Sequence, residues 1–564
     1  MPIYEEKKQN RRKSLLILAI AFLIIYMPFQ IGGRELRWEE HFYATMALEM
    51  NLLNPNTIAH GEVISSNYPL YPWVVSLMYR AGATPEFGLR LISVLSVLVI
   101  SLIVWEAGRR AVGNLTSVVS ASLVLTSLIM IEKGLDGFPN MLGLLFILAA
   151  WVAWFTYGPV RGNWNRAWFV SLSFCGLAFY TIGWSGVFIF ILPLLFMRRP
   201  MTIWSRLNKT GLYFGMAVLV FFILIWGIPR WIAGSDIPFR NIPFQPDDFL
   251  DYIKHLLLFP FELAVRISPL CLFAWPAFCA AYTPLDKNPV FSRFLKTIAT
   301  SIFFFLWFYP FTDPRDYCIL VPPLAILAGM NYWLLVRRLG FQLHRILKIL
   351  AVTGLVFAVS VLLFYALPPT IWKTWFGGIL QFFPADKLFD VREANRMTGL
   401  VFSGASILIL AYVIKKAPLK CTVWLHSLLI ICSIALLYWA SMYPYQSHEK
   451  RQRNLARHVR SAMGEDYQVG MTIYKMTEGL FPLCTYLQCS KDPTFPFLCK
   501  YDKISIKRIG EIKELEQINS EIYVFSTVYP TLSGNPRPQS KKIPITDKVF
   551  LYKLPKAETG GPVK

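Results

Sequence analysis

In the stretch RELRWEEHFYATMALEM, residues 34–50, five charges fall between Arg34 and Glu40, directly after the apolar run LLILAIAFLIIYMPFQIGG. On a helix, Glu35 and Glu39 share one face, continued by Tyr43, Met46 and Met50, while Glu40 points about 100° away. Two adjacent carboxylates at a membrane interface, where the effective dielectric is low, are expected to titrate high. They could serve as a general base or hold a divalent cation near Glu39/Glu40. The plainer reading is a solvated charged turn in which both acids pair with Arg34 and Arg37.

Three further polar elements favour chemistry. The segment IEKGLDGFPN places Glu132, Lys133 and Asp136 at the end of an apolar run, where a carboxylate is costly unless solvated or used. FTDPRDYCILVPPLAIL puts Asp313, Arg315, Asp316 and Tyr317 in the same situation, and SSNYPLYPW, with Asn67 and Tyr68, bends a polar segment back towards the next apolar run. Lys133 could instead be a snorkelling anchor, and Arg315 a partner for Asp313 or Asp316. His41 and His60 read as surface residues, and Trp38, Trp73 and Trp184 as interface-belt aromatics.

The elements that must position these residues are membrane helices. The 564-residue chain is 55% hydrophobic and only 16% charged, whereas soluble domains carry about a quarter charged residues. Long apolar runs recur through the first 440 or so residues. We read an all-α polytopic membrane protein of about thirteen transmembrane helices, near 14–33, 88–107, 115–131, 139–157, 167–182, 184–197, 211–228, 265–283, 297–311, 317–335, 349–367, 399–414 and 422–441. The first run lacks a small-residue cleavage site and reads as a retained helix. The formal net charge of +22 does not indicate nucleic acid, because the basic residues cluster in short loops: Arg109 and Arg110; Arg198, Arg199, Arg206 and Lys209; Arg337, Arg338, Arg345 and Lys348. That is the cytoplasmic pattern. With a basic, cytoplasmic N-terminus and an odd number of spans, the tail lies outside.

The predicted transmembrane domain is therefore 1–442, with outer loops at 34–87, 229–264 and 368–398. Those loops carry amphipathic pieces such as DDFLDYIKHLLLF (247–259). Residues 443–564 form a small extracytoplasmic α/β domain. In it, HEKRQRNLARHVRSAM is a basic helix, QVGMTIY, EIYVFSTVY and KVFLYKL are strands, and IKRIGEIKELEQI is a helix between them. Of the nine cysteines, Cys484, Cys489 and Cys499 fall in the tail, where two could pair and leave one free.

In order along the chain, these motifs resemble the C-type integral membrane glycosyltransferases with the GT-C fold. The similar branch is that of the bacterial aminoarabinose transferases of lipid A and the protein O-mannosyltransferases. That branch reads Asp-Glu, Tyr-Ala and Ala-Arg-Glu-Met in its first outer loop, matched here by Glu39-Glu40, Tyr43-Ala44 and Ala47-Leu48-Glu49-Met50. NYPLYPW stands where the family has Lys-Pro-Pro-Leu and Trp, Asp136 follows the third span, and GLAFYTIG (176–183) and RDYCILVPPLA (315–325) match two later elements. The chain departs from the pattern at Glu39 in place of Asp, Ser66-Asn67 in place of Glu-Lys, Tyr68 in place of the first proline, and Ile182 in place of a lysine. One metal ligand and two phosphate-facing lysines are thereby absent.

The resemblance implies an inverting transfer of a sugar from a polyprenyl-phosphate donor to a lipid, glycan or protein acceptor, at the outer face of the bacterial cytoplasmic (inner) membrane. Charge would build on the departing phosphate, so fixed cations must meet it; Arg34, Arg37, Lys133 and Arg315, with Tyr317, are the candidates. Glu39, Glu40 or Asp136 would take the proton of a hydroxyl acceptor, and Asn67, Tyr68, Asp313 and Asp316 would line the substrate. The competing readings are a flippase of lipid-linked sugars, against which the scarcity of midspan ionisable residues argues, and a catalytically inactive relative.

Overall fold

The computed structural model describes residues 11–32, 34–50, 56, 58–64, 68–197, 206–232, 249–279, 288–309, 312–372, 374, 385–416, 422–448, 451–464, 467, 471–476, 481–491, 499–501, 504–509, 522–526, 541–544 and 550–554. In chain order the helices begin with α1 (Arg11–Gly32) and α2 (Trp38–Glu49), then a short hairpin β1 (Ile58–Ala59) and β2 (Glu62–Val63). There follow α3 (Leu70–Arg80), α4 (Pro85–Ala111), α5 (Asn114–Thr126), α6 (Leu128–Gly134), α7 (Asn140–Phe155), α8 (Trp164–Ile182), α9 (Trp184–Phe196), α10 (Thr210–Ile232), α11 (Phe249–Arg266), α12 (Leu270–Ala274) and α13 (Pro289–Phe308). A 3-10 turn (Pro314–Leu320) leads into α14 (Val321–Ala366), then α15 (Ala385–Ala394), α16 (Arg396–Lys415), α17 (Val423–His448) and α18 (Arg451–Met463). The remainder is β3 (Thr472–Lys475), α19 (Phe481–Leu487), β4 (Cys489–Lys491), β5 (Cys499–Tyr501), β6 (Ser505–Arg508), β7 (Ile522–Ser526), β8 (Lys541–Pro544) and β9 (Phe550–Leu554).

Among the described residues, seven helices are long and apolar enough to cross a membrane, or up to nine if each of two bent pairs, α5 with α6 and α11 with α12, counts as one span; α1 and α9 hold shorter apolar stretches. The described residues do not by themselves reproduce the thirteen separate spans expected. The clearest difference is α14: the runs at 317–335 and 349–367 lie on one continuous helix of 46 residues, about 69 Å at 1.5 Å per residue. Charge at Arg337, Arg338, Arg345 and Lys348 looked like a loop, but arginine and lysine are good helix formers. All four are exposed, and a buried stripe of Val336, Leu343, Leu347 and Ala351 runs on through the charged stretch.

The chain divides into two compact units, one of 1–34, 93–223 and 242–448, the other of 35–92, 224–241 and 449–564. In the first, α14 is the spine, packing on α5, α12, α13, α16 and α17, while α7 and α8 form a close pair. Small residues set these approaches: a Cβ at Gly329 would meet the Ser120 hydroxyl at 2.2 Å, and one at Gly399 the Tyr365 ring at 2.5 Å. Large apolar side chains remain exposed on the spans, Phe214 and Leu408 among them, as lipid-facing surfaces require.

In the second unit α2 packs against α3 and α19, and α18 against α19. A five-stranded sheet of order β6-β3-β7-β9-β8 has β3 parallel to β6 and β7, with β9 antiparallel to β7 and β8. Its core joins Val459, Ile473, Leu487, Ile506, Phe525 and Leu551. The expected helix over IKRIGEIKELEQI is corrected in its first residues. Ile506–Arg508 is strand, because Ile504 and Ile506 alternate into the core; 510–521 lie outside the described residues. Cys484 is free and Cys499 is disulfide-bonded.

Candidate functional site

In the first unit, the polypeptide breaks between α5 and α6 with a 55° bend and then turns tightly through Asp136. The Asp136 N–H donates to the Lys133 carbonyl at 3.3 Å, the Phe138 N–H to the Asp136 carbonyl at 3.0 Å, and the Ser93 hydroxyl of α4 to the Phe138 carbonyl at 3.2 Å. The turn buries Asp136 to 1% exposure, with its carboxylate 3.4 Å from Nη2 of Arg34. A carboxylate so enclosed requires a charged or hydrogen-bonding partner, and Arg34 is one.

The 3-10 turn at Pro314–Leu320 faces this turn. Asp313 accepts the Arg315 N–H at 2.8 Å, and Asp316 accepts the Asp313 N–H at 3.2 Å, so the two acids cap the turn reciprocally. The Arg315 guanidinium carbon lies 3.7 Å from the centre of the Phe138 ring, two residues beyond Asp136, and its Nη1 is 3.6 Å from Asp313. Asn140 donates to Asp316 at 3.5 Å. Residues 136 and 315, distant in sequence, are thus held in one neighbourhood with Arg34.

Lys133 and Tyr317 enter a second polar chain of the same unit. Lys133 pairs with Glu132 at 2.9 Å, Glu132 with Arg266 at 3.1 Å, and Arg266 with Glu262 at 2.7 Å; the Tyr317 hydroxyl donates to Glu262 at 3.5 Å. Glu262 and Arg266 are not among the residues expected at the site, although their i, i+4 spacing on α11 is a usable signal.

In the second unit Glu39 is exposed on α2, whereas Glu40 is fully buried. Both Glu40 oxygens are engaged: Oε1 accepts Arg90 Nε at 3.0 Å, and Oε2 accepts Arg90 Nη2 at 2.8 Å and the Arg37 N–H at 2.7 Å. This pairing gives Glu40 a structural part beside the catalytic or metal-holding one expected of it. It closes the N-terminus of α2 and neutralises a buried arginine, which a proton or cation would disrupt. Arg90 was missed because it sits in an apolar run 50 residues away. Arg37 contributes its backbone N–H here, and its side chain is exposed.

Around that pair, the Glu35 carboxylate accepts the N–H groups of Gln452 and Arg453 at 3.2 and 2.9 Å, capping α18 from a distant segment. Arg453 pairs with buried Glu86, which also accepts the Tyr486 hydroxyl at 2.8 Å. His41 lies edge-on to Tyr486 at 5.2 Å, and burial holds its imidazole down to about 4. Tyr68 stacks on Trp226 at 5.1 Å, with Arg230 on the same indole at 4.8 Å. Asn67 lies outside the described residues. Among the described residues no group of three or more His, Cys, Asp or Glu could hold a metal ion.

Residues 66–226 match the sequence family described as dolichyl-phosphate-mannose-protein mannosyltransferase. An uncharacterised protein of Aquifex aeolicus is 27% identical over 227 residues, which cover 38% of this chain and 43% of that protein, so the match spans less than half of its length. Among solved structures, ArnT from Cupriavidus metallidurans in the apo state superposes with a TM-score of 0.64 at 17% identity, over 96% of this chain and 97% of that one. The same enzyme bound to undecaprenyl phosphate gives a TM-score of 0.63 at 16% identity, over 97% and 99%. The resemblance to the C-type integral membrane glycosyltransferases therefore holds at the level of fold, and the chain is a multi-pass membrane protein of that architecture.

Proposed function

We propose that the chain transfers a sugar from a polyprenyl-phosphate carrier to a lipid, glycan or protein acceptor at the outer face of the bacterial cytoplasmic membrane. The observation that carries this reading is the grouping of buried Asp136 with Arg34 at 3.4 Å, beside Arg315 on the Phe138 ring, in a chain with the fold of an enzyme solved with undecaprenyl phosphate.

The chemistry asks for two things. As the acceptor oxygen attacks the anomeric carbon, the bond from that carbon to the phosphate oxygen breaks, and its electron pair leaves on polyprenyl phosphate. Arginines suit that developing charge because their planar fork grips phosphate with two parallel hydrogen bonds; Arg34 and Arg315 take this role. The acceptor hydroxyl proton must go to a base, and Asp136 receives it. A donor phosphate drawing Arg34 away would leave the buried Asp136 carboxylate less neutralised and more basic. Glu39, exposed on α2, is the second carboxylate proposed to meet an acceptor. Oxidised Cys499 fits an extracytoplasmic tail, where disulfides persist.

The test is release of polyprenyl phosphate when purified protein in lipid vesicles is given radiolabelled polyprenyl-phosphate sugars and a membrane-lipid extract. Turnover that falls by ~10² to 10⁴ in Asp136→Asn, with folding intact, supports the assignment. Glu39→Gln is run beside it. Turnover unchanged in Asp136→Asn removes Asp136 as the base. Lipid-sugar that crosses vesicles intact, with no polyprenyl phosphate formed, points to a flippase, and no activity of either kind to an inactive relative.

A further inference from the structure

A cavity of about 440 Å³ opens in the first unit where three helix ends meet: the last turns of α4, the end of α7 and the start of α13. It lies away from the Asp136 neighbourhood. Ser93, which touches Phe138, and Glu106, which lines the cavity, are on the same helix thirteen residues apart, about 20 Å along the axis. The volume is in the ~300–1,000 Å³ range of ligand sites.

The lining separates by chemistry. Leu102, Ile103, Val152, Phe155 and Phe291 make an apolar interior, and its rear wall is stiffened by an aromatic stack, with Phe155 at 4.7 Å from Phe291 and 4.9 Å from Phe294. Asn288 ties the start of α13 to the end of α4 by donating to the Ala111 carbonyl at 3.5 Å. On the remaining wall the chain leaves α-helical geometry: Thr156–Val160 is a π-helical turn containing Pro159, a distortion found often at functional positions.

The polar end is basic. Glu106 is bound by Arg109 at 2.7 Å and by Arg110 at 2.6 Å, so one carboxylate faces two guanidinium groups and one positive charge is left over. Arg110 spends only its Nε on Glu106, and its two terminal nitrogens meet no acceptor among the described residues; its side chain is 57% exposed. The Thr156 hydroxyl, also in the lining, has no hydrogen-bond partner among the described residues either. An apolar slot capped by an available guanidinium fork and a hydroxyl matches an acyl chain ending in an ester and a phosphate. Basic pockets between spans on the cytoplasmic side hold anionic lipid headgroups in this way.

We infer that this cavity is a binding site for an anionic glycerophospholipid, one acyl chain lying between α4, α7 and α13 and its phosphate held by Arg110. The inference does not depend on sugar transfer. It is tested with full-length protein in phosphatidylcholine vesicles doped with phosphatidylglycerol carrying a photoactivatable diazirine on one acyl chain, with adducts mapped by mass spectrometry. The expected adducts fall on peptides covering 102–111 and 152–160. Arg110→Ala lowers them by about five-fold, Ala107→Trp fills the cavity and removes them, and the matching phosphatidylcholine probe labels weakly. Because Ala107→Trp risks misfolding, the exposed Arg110→Ala variant and an unchanged thermal midpoint serve as controls. Equal labelling by both headgroups, labelling that survives Arg110→Ala, or preferential capture of a photoactivatable polyprenyl phosphate would each overturn the proposal.

Discussion

Glu39 and Glu40 are adjacent yet lie in opposite environments, one exposed and one buried against Arg90. A buried ion pair adds little over an apolar pair of the same volume, but losing one partner strands a charge. Arg90→Met should therefore destabilise the protein by ~3–5 kcal/mol, seen as a large drop in thermal midpoint in detergent. The double variant Glu40→Met with Arg90→Met should recover most of the loss. A second residue-scale prediction concerns Glu49 at the end of α2, whose Oε2 accepts the Gly61 N–H at 3.1 Å and whose carboxyl burial pushes up to about 7 from 4.5. Its folded pKa lies above its unfolded one, so the folded protein binds more protons between pH 4.5 and 7. The stabilisation is complete below pH 4.5 and is lost as pH rises through 7. Glu49→Gln should flatten that fall in a midpoint-against-pH series. His41 has the opposite sign: its pKa is lowered from 6.5 to about 4, so its contribution is lost as pH falls through that window.

Among the elements, α14 is the one that most changes the reading of the chain. Gly329 in its first half lies against Ser120 of α5, and Tyr365 near its end lies against Gly399 of α16 and donates to the Ala440 carbonyl of α17, all on one continuous helix. The same helix contains glycines of unlike purpose. Gly329 sits where a Cβ would strike Ser120 and the Thr116 carbonyl, at 2.2 and 2.7 Å, whereas Gly340 would meet nothing closer than Val336 at 3.7 Å. Gly329→Ala should force α14 from α5 and lower the thermal midpoint. Gly340→Ala should be neutral or raise stability by ~0.5–1 kcal/mol, the helix cost of glycine relative to alanine. A lower midpoint for Gly340→Ala would indicate a hinge rather than a continuous rod.

Across the whole molecule, long-range contacts gather residues 35–92 and 449–564 into one unit, with Glu35 capping α18 and Glu86 holding Arg453. Segments that cap and neutralise one another must occupy the same side of the membrane. In the proposed topology that side is the exterior. Alkaline phosphatase fused after residue 448 should therefore be active in a bacterial host, and fusions after Arg110 inactive. The reverse pattern would invert the topology and move the proposed chemistry to the cytoplasm.

The amino-acid sequence by itself determined the class. Apolar runs cannot be satisfied in water, and basic residues between them cannot cross a bilayer, so a multi-pass membrane protein follows from local composition. The motif series from Glu39 to Ala325 pointed to a fold that the superposition on ArnT supports. Most helices were legible for the same reason, as were the strands QVGMTIY and KVFLYKL, since periodicity is a short-range property. What only the tertiary structure decided were the partners: that Glu40 is spent on Arg90, that Asp136 leans on Arg34 beside Arg315, that Glu262 and Arg266 join Tyr317 to Lys133, and that two expected spans are one helix. An ion pair forms between side chains distant in the chain, and its free energy depends on separation and desolvation, neither of which is written in the order of residues.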